Sequence, residues 1–147
     1  MDIVKIHTEN DFTKEVTREK FVDFMFGALE QWGDERQAIE KSIDYAFNDS
    51  EGMGGFLLAA VIDGEVVGGL IMNNTGMAEY IPEHIIVYVA SSPNHRGQGI
   101  GYNLVKTGIE EADTDVKLHV EYENPAKGFY ERFGFTTKYA EMRYTKK

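Results

Sequence analysis

The chain has 147 residues, 42% of them hydrophobic and 27% charged; this is the balance of a globular protein, and the length suits one domain over residues 1–147. A formal net charge of −10 argues against a nucleic-acid partner, which takes a basic face to displace counterions. With no cysteine there is no disulfide, thiol nucleophile or thiolate metal ligand, and His7, His84, His95 and His119 lack metal-ligand spacing, so no metal is expected.

The first residues, Met-Asp-Ile-Val-Lys-Ile-His, have neither the basic region nor the apolar core of a secretory leader. No apolar run approaches the ~20 residues of a membrane helix, so a cytoplasmic protein with no membrane partner is expected. Residues 3–7 alternate weakly and read as a first strand. From Thr17 onward, Phe21, Phe24, Met25, Ala28, Leu29 and Trp32 recur at helical offsets, and Gly33 ends that helix. Asp34 with Gln37 reads as a capping pair for a second helix, whose stripe is Ile39, Ile43, Ala46 and Phe47. Such stripes are core more often than not, although these two helices are also placed to line a substrate groove.

Two apolar runs, 56–62 and 65–72, flank Asp63-Gly64 and form a hairpin pattern with a type I′ turn. After a loop over 73–82, residues 85–90 are apolar on both faces, as a strand inside a sheet must be. On simple alternation Ile85, Val87 and Val89 share one face of that strand, and His84, Ile86 and Tyr88 the other. A glycine-rich stretch then opens a helix carrying Leu104, Val105, Gly108, Ile109 and Ala112. Residues 116–122 alternate as a strand with one wetter face. Asn124-Pro125 reads as an N-cap followed by proline at the first helical position, Gly134 suits the C-cap, and residues 136–139 and 142–145 form a candidate closing hairpin.

The glycine loop is Arg96, Gly97, Gln98, Gly99, Ile100 and Gly101. A helix N-terminus presents unpaired N–H groups and the positive end of the helix dipole, and glycines let an anion approach the backbone. The spacing fits neither a Walker loop, since no lysine follows, nor a dinucleotide fingerprint. A glycine turn that only seats a helix closely on a sheet is the plain alternative.

Arg-x-x-Gly-x-Gly after a buried strand resembles the acyl-coenzyme A loop of the GNAT superfamily of N-acetyltransferases. Residues 124–135, Asn-Pro-Ala-Lys-Gly-Phe-Tyr-Glu-Arg-Phe-Gly-Phe, resemble the segment that closes the cofactor site in the same superfamily, and they follow in the right order. The resemblance implies an α/β (α+β) fold, a mixed, mostly antiparallel sheet splayed in the middle, with helices on both faces. It implies acetyl-CoA as cosubstrate, lying in the splay between residues 85–90 and 116–122. Val87 and Val89 would then pair with the pantetheine arm, Arg96 to Gly101 would hold the pyrophosphate, and Asn124 would bond the pantetheine amides, cap its helix, or do both. Tyr130 is implied as proton donor to the departing thiolate, with ring packing the plainer role.

Acetyl transfer needs a neutral amine, so something must accept a proton. The spacing from Glu83 to Arg96, with Ser91-Ser92 between, resembles the histone-type branch, in which a glutamate there is the general base. A solvated carboxylate at the start of a strand is the alternative, and Glu79, Glu121, His84 or water are other acceptors. The function implied is an acyltransferase acting on a small-molecule or peptide amine by direct attack. The rival is a non-catalytic acyl-CoA-binding module of the same fold.

Overall fold

The computed structural model describes residues 1–49 and 52–147. One five-stranded sheet runs in the order β1 (Asp2–Ile6), β2 (Gly55–Ile62), β3 (Glu65–Asn74), β4 (His84–Ser91) and β5 (Val116–Leu118). The first three pairings are antiparallel and β4–β5 is parallel. The expected hairpin turn is present, with φ of 51° at Asp63 and 79° at Gly64, the two positive values that a type I′ turn requires.

Helices α1 (Arg18–Leu29) and α2 (Arg36–Ala46) cover one face, and α3 (Ile100–Glu111) covers the other. The first core holds Phe21, Met25, Ile39, Ile43, Leu57 and Ile71, all fully buried. The second holds Leu58, Leu70, Met72, Ile100 and Leu104. Two adjacent glycines of β3 set how closely the helices approach. A Cβ on Gly68 would lie 2.6 Å from Ile100 Cγ2, and one on Gly69 would lie 2.5 Å from Met25 Sδ, so α3 and α1 press on opposite faces of one strand.

Thr17, where the helical pattern begins, caps α1, its hydroxyl accepting from Lys20 N at 3.1 Å. A 3-10 turn over Glu30–Trp32 then leads to Gly33. Arg18 clamps α1 to α2, donating to Glu40 at 2.9 Å and to Asp44 at 2.7 Å, and it reaches Glu9 at 3.1 Å. The capping pair expected at Asp34 and Gln37 is not formed. The residue before α2 is Glu35, without a side-chain cap, because the Asp34 carboxylate is taken up by Tyr88.

The alternation expected along β4 is broken by a bulge. Ile86 pairs with Met72 and Tyr88 pairs with Ile71, which leaves Val87 as an extra residue. Val87, Tyr88 and Ala90 therefore pack on the α1/α2 side, while Ile86 and Val89 pack on the α3 side, so Val87 and Val89 do not share a face.

β5 is shorter than the expected 116–122 and stops at Leu118. The closing hairpin expected over 136–145 is absent, with no helix or strand from 136 to 147. Tyr139, Met142 and Tyr144 there are 75%, 90% and 88% exposed, and a two-stranded hairpin without a buried face has little to hold it. Without a neighbour on its outer edge, β5 has no ladder to extend it. The last helix, α4 (Ala126–Phe133), begins one residue later than read from the sequence: Pro125, not Asn124, is the residue at its N-cap and Ala126 the first helical one, while Asn124 Oδ1 accepts from Ala126 N at 2.9 Å and Gly134 closes the helix at φ 126°.

Candidate active site

The β4–β5 ladder consists of His84–Val116, Ile85–Lys117 and Ile86–Leu118, and ends there. Beyond Ile86 that edge of β4 has no strand beside it among the described residues. Where the strands part, a cleft of about 180 Å³ opens. Its floor is residues 86–90 of β4, one wall is Leu118, His119, Val120, Asn124, Ala126 and Tyr130, and the facing wall is Ala28, Leu29 and Trp32. The cleft thus brings together Val87, Val89, Asn124 and Tyr130 from the sequence-derived set, and the end of α1 does line it.

At the C-terminal end of β4, a 3-10 turn over Pro93–His95 is held by Ser92, whose hydroxyl accepts from Asn94 N at 3.3 Å. It leads to Arg96 and then to Gly97 and Gly99, both left-handed, at φ 81° and 74°. Gly99 directly precedes α3, and its carbonyl accepts from Asn103 N and from Asn103 Nδ2, each at 2.9 Å. The first N–H groups of α3 have no carbonyl a turn earlier to bond. Space at Gly97 and Gly101 is open, since a Cβ on either would meet nothing within 4 Å. Arg96, Gly97, Gln98 and Gly99 are exposed, while Ile100 is buried and anchors the helix. This backbone leaves the first N–H groups of α3 open to solvent at a helix N-terminus, where an anion is favoured. Tyr102 of α3 stacks on Phe133 of α4 at 5.3 Å between ring centroids, tying the glycine-loop helix to the wall that carries Tyr130.

Two phenols line the cleft in unlike settings. Tyr130 packs edge-on against Phe129 and Phe135, and its hydroxyl bonds to no described residue. Burial pushes its pKa up to about 12. Tyr88 Oη donates to Asp34 Oδ2 at 2.5 Å; burial first, and the carboxylate second, hold its pKa well above the usual phenol range. His119 is lowered by burial and by the Lys117 charge, so at neutral pH it is an uncharged member of the wall.

Glu83 lies elsewhere. It lines a second hollow with Met53, Asn74, Glu79, Tyr80, His84 and Asp113, and the two linings share no residue. Its carboxylate accepts from Thr114 Oγ1 at 2.5 Å. His84 donates through Nδ1 to Asn74 Oδ1 at 2.9 Å; its buried Nε2 has no hydrogen bond to a described residue and lies 3.8 Å from Asp113 Oδ1. Glu121 is exposed in the loop after β5.

Sequence reasoning did not bring Tyr88 or Asp34 to the site. Alternation turned Tyr88 away from Val87, and Asp34 looked like a cap. Only the bulge and the packing of the α1–α2 corner on β4 bring them together.

Over 98 residues, 63% of this chain, the sequence is 31% identical to a streptothricin acetyltransferase from Escherichia coli; the match spans about half, 54%, of that curated relative's length. Among solved structures, an aminoglycoside 6'-N-acetyltransferase from Acinetobacter haemolyticus superposes with a TM-score of 0.69 at 14% identity, covering 100% of this chain and 99% of that one. A ribosomal-protein-alanine N-acetyltransferase from Brucella melitensis superposes with a TM-score of 0.67 at 18% identity, covering 99% of each. At those identities the two structures speak for the fold. The sequence model of the Acetyltransferase (GNAT) family matches residues 12–135, a span running from the start of α1 through the splayed strands and glycine loop to the end of α4, and the chain belongs to that family.

Proposed function

We propose that this protein transfers the acetyl group of acetyl-coenzyme A to a primary amine by direct attack on the thioester. The observation that carries the reading is the joining of three features: the unpaired edge of β4 beyond Ile86, the open glycine backbone at the start of α3, and a half-buried tyrosine in the wall between them. An extended pantetheine arm can add to the free β4 edge like a strand, at Val87 and Val89. The pyrophosphate would rest at Arg96, Gly97, Gln98, Gly99, Ile100 and Gly101. A cleft of about 180 Å³ is smaller than the ~300–1,000 Å³ of a typical ligand pocket, which suits a site enclosing the thioester end while the nucleotide lies outside.

Asn124 Oδ1 is already engaged by Ala126 N, which leaves its amide N–H groups for the arm. Tyr130, with its pKa at about 12, stays protonated at any working pH and serves as hydrogen-bond donor to the departing sulfur. An ordinary thiol has a pKa of about 8.5, so the phenol steadies the thiolate rather than surrendering its proton completely. For the amine proton, the resemblance implies Glu83. That carboxylate stands four residues before the bulge, roughly 13 Å along an extended strand, so a route to it from the cleft runs through water.

The acceptor is proposed to be a small molecule or peptide bearing a primary amine. The relatives' names suggest the panel: streptothricin, kanamycin as an aminoglycoside, a peptide with N-terminal alanine, and spermidine as a simple polyamine. Each is mixed with acetyl-coenzyme A and release of free thiol is followed. Release with at least one amine, with N-acetyl product by mass spectrometry, is expected. Tight coenzyme A binding without release from any amine would favour a non-catalytic acyl-CoA-binding module; absence of both would remove the reading altogether.

A further inference from the structure

The structure assigns a route for the amine proton out of the cleft, through Tyr88 Oη to the carboxylate of Asp34. The route rests on the acetyl-transfer reading above. Tyr88 follows the β4 bulge directly and lines the same cleft as Tyr130. A phenol has one proton to give and lone pairs to accept with. The Tyr88 proton is committed to Asp34 Oδ2 at 2.5 Å, so toward the cleft Tyr88 can only accept. The Tyr130 proton is committed to no described residue, so Tyr130 can donate. One cleft therefore holds an acceptor phenol and a donor phenol, as a reaction that takes a proton from nitrogen and delivers a thiolate requires.

Asp34 is exposed, so a proton reaching it passes on to solvent. It has also been withdrawn from the helix cap that its position before α2 suggests. Arg143 lies within charge-interaction range of Asp34. Burial and the Asp34 carboxylate raise the Tyr88 pKa, which keeps the phenol protonated, so it passes a proton on as it accepts one. Glu83, by contrast, lines the other hollow and is engaged by Thr114.

The step balances as follows. The neutral amine nitrogen bonds to the thioester carbonyl carbon, and the carbonyl π pair moves to oxygen. The nitrogen, now cationic, gives its proton to Tyr88 Oη as the Tyr88 proton moves to Asp34 Oδ2. The tetrahedral adduct collapses, the C–S bond breaks, and the thiolate leaves with the pair, hydrogen-bonded by Tyr130 and protonated from solvent. Asp34 returns its proton to water. Tyr88 is thus a catalytic residue, and Asp34 acts through it as a positioning residue and proton sink.

The test compares Asp34→Asn, Tyr88→Phe and the double variant with the wild type, using the amine panel above. An asparagine oxygen still accepts from Tyr88, so the tether and the fold persist while the proton sink is lost. Expected is a fall in kcat of about 100-fold or more for each single variant, with coenzyme A affinity by calorimetry and the melting temperature of Asp34→Asn unchanged. The double variant should be no slower than the worse single one, since the two act as a unit. Recovery of at least a tenth of wild-type kcat in Asp34→Glu would add a readout that a tether alone cannot give. If Asp34→Asn keeps kcat within threefold of wild type, the route is wrong, and full loss in Glu83→Gln with Asp34→Asn unaffected overturns it in favour of Glu83. Absence of thiol release by the wild type with every amine would instead overturn the acetyl-transfer reading, and the route with it.

Discussion

Tyr130 is held by packing alone, with rings on either side and no hydrogen bond to its hydroxyl from any described residue. Removing the oxygen should therefore leave the fold untouched and act only on the chemistry. Tyr130→Phe is expected to lower kcat by about 100-fold or more, the usual worth of a proton or hydrogen-bond donor at a developing charge, with coenzyme A affinity little changed; steady-state kinetics beside a binding titration checks this. The raised pKa carries a second consequence. In the unfolded chain this phenol ionises near 10, in the folded one near 12. Below pH 10 both states are neutral and stability is unaffected; as pH rises from 10 to 12 only the unfolded state loses its proton, so folding weakens. The loss is about 2–3 kcal/mol across that window, and Tyr88, shifted in the same direction, adds to it. Urea unfolding of wild type and Tyr130→Phe at pH 9 and pH 11 should show a smaller alkaline loss in the variant.

Among the elements, α3 carries the most consequence for a ligand, since its first turn projects from a loop that only unusual backbone angles allow. Gly97 and Gly99 adopt left-handed φ values, which cost an L-residue roughly 1–2 kcal/mol. A side chain at Gly99 would meet only Asn103 Nδ2, at 3.6 Å, so a substitution there strains the loop without a clash in the core. Gly99→Glu is expected to fold, with stability reduced by about 1–2 kcal/mol, and to lose coenzyme A affinity through both blocked approach and added negative charge. An unchanged dissociation constant in calorimetry would separate this loop from the pyrophosphate. β4 and β5 form the other decisive pair. Their three-residue ladder holds the bottom of the cleft together, and its early end leaves the β4 edge free for an extended ligand.

At the scale of the molecule, the sheet is closed over on both faces by helices but left open between its last two strands, so a ligand seated there bridges β4, α3 and α4. Such a ligand binds the folded chain alone and must stabilise it. At a coenzyme A concentration 100 times the dissociation constant, the gain is about 2.7 kcal/mol, which for a chain of this size raises the melting temperature by roughly 5–10 °C. Scanning calorimetry with and without coenzyme A checks this, and an unmoved transition at millimolar ligand would count against the cleft as its site. The net charge of −10 bears on the acceptor, since an acidic molecule gathers cationic amines more readily at low salt.

Much of this was legible in the sequence because it is written in local chemistry. The Asp63-Gly64 turn, the start of the last helix to within one residue and the glycine loop each depend on residues within a few positions of one another, where backbone sterics and short-range hydrogen bonds decide the outcome. The apolar period of α1, α2 and α3 was readable for the same reason, and the order of motifs was enough to indicate the family resemblance. What the sequence could not show depends on partners far along the chain. The bulge at Val87 exists only in register with β3, and it turns Tyr88 toward the α1–α2 corner against simple alternation. Asp34 looked like a cap because its neighbours permit one, yet a phenol 54 positions away holds it. β5 ends early and residues 136–145 form no hairpin, because a strand needs a neighbour and a buried face, and neither can be read from alternation. Strand pairing and helix–sheet packing are long-range, and they alone decided which side chains meet in the cleft.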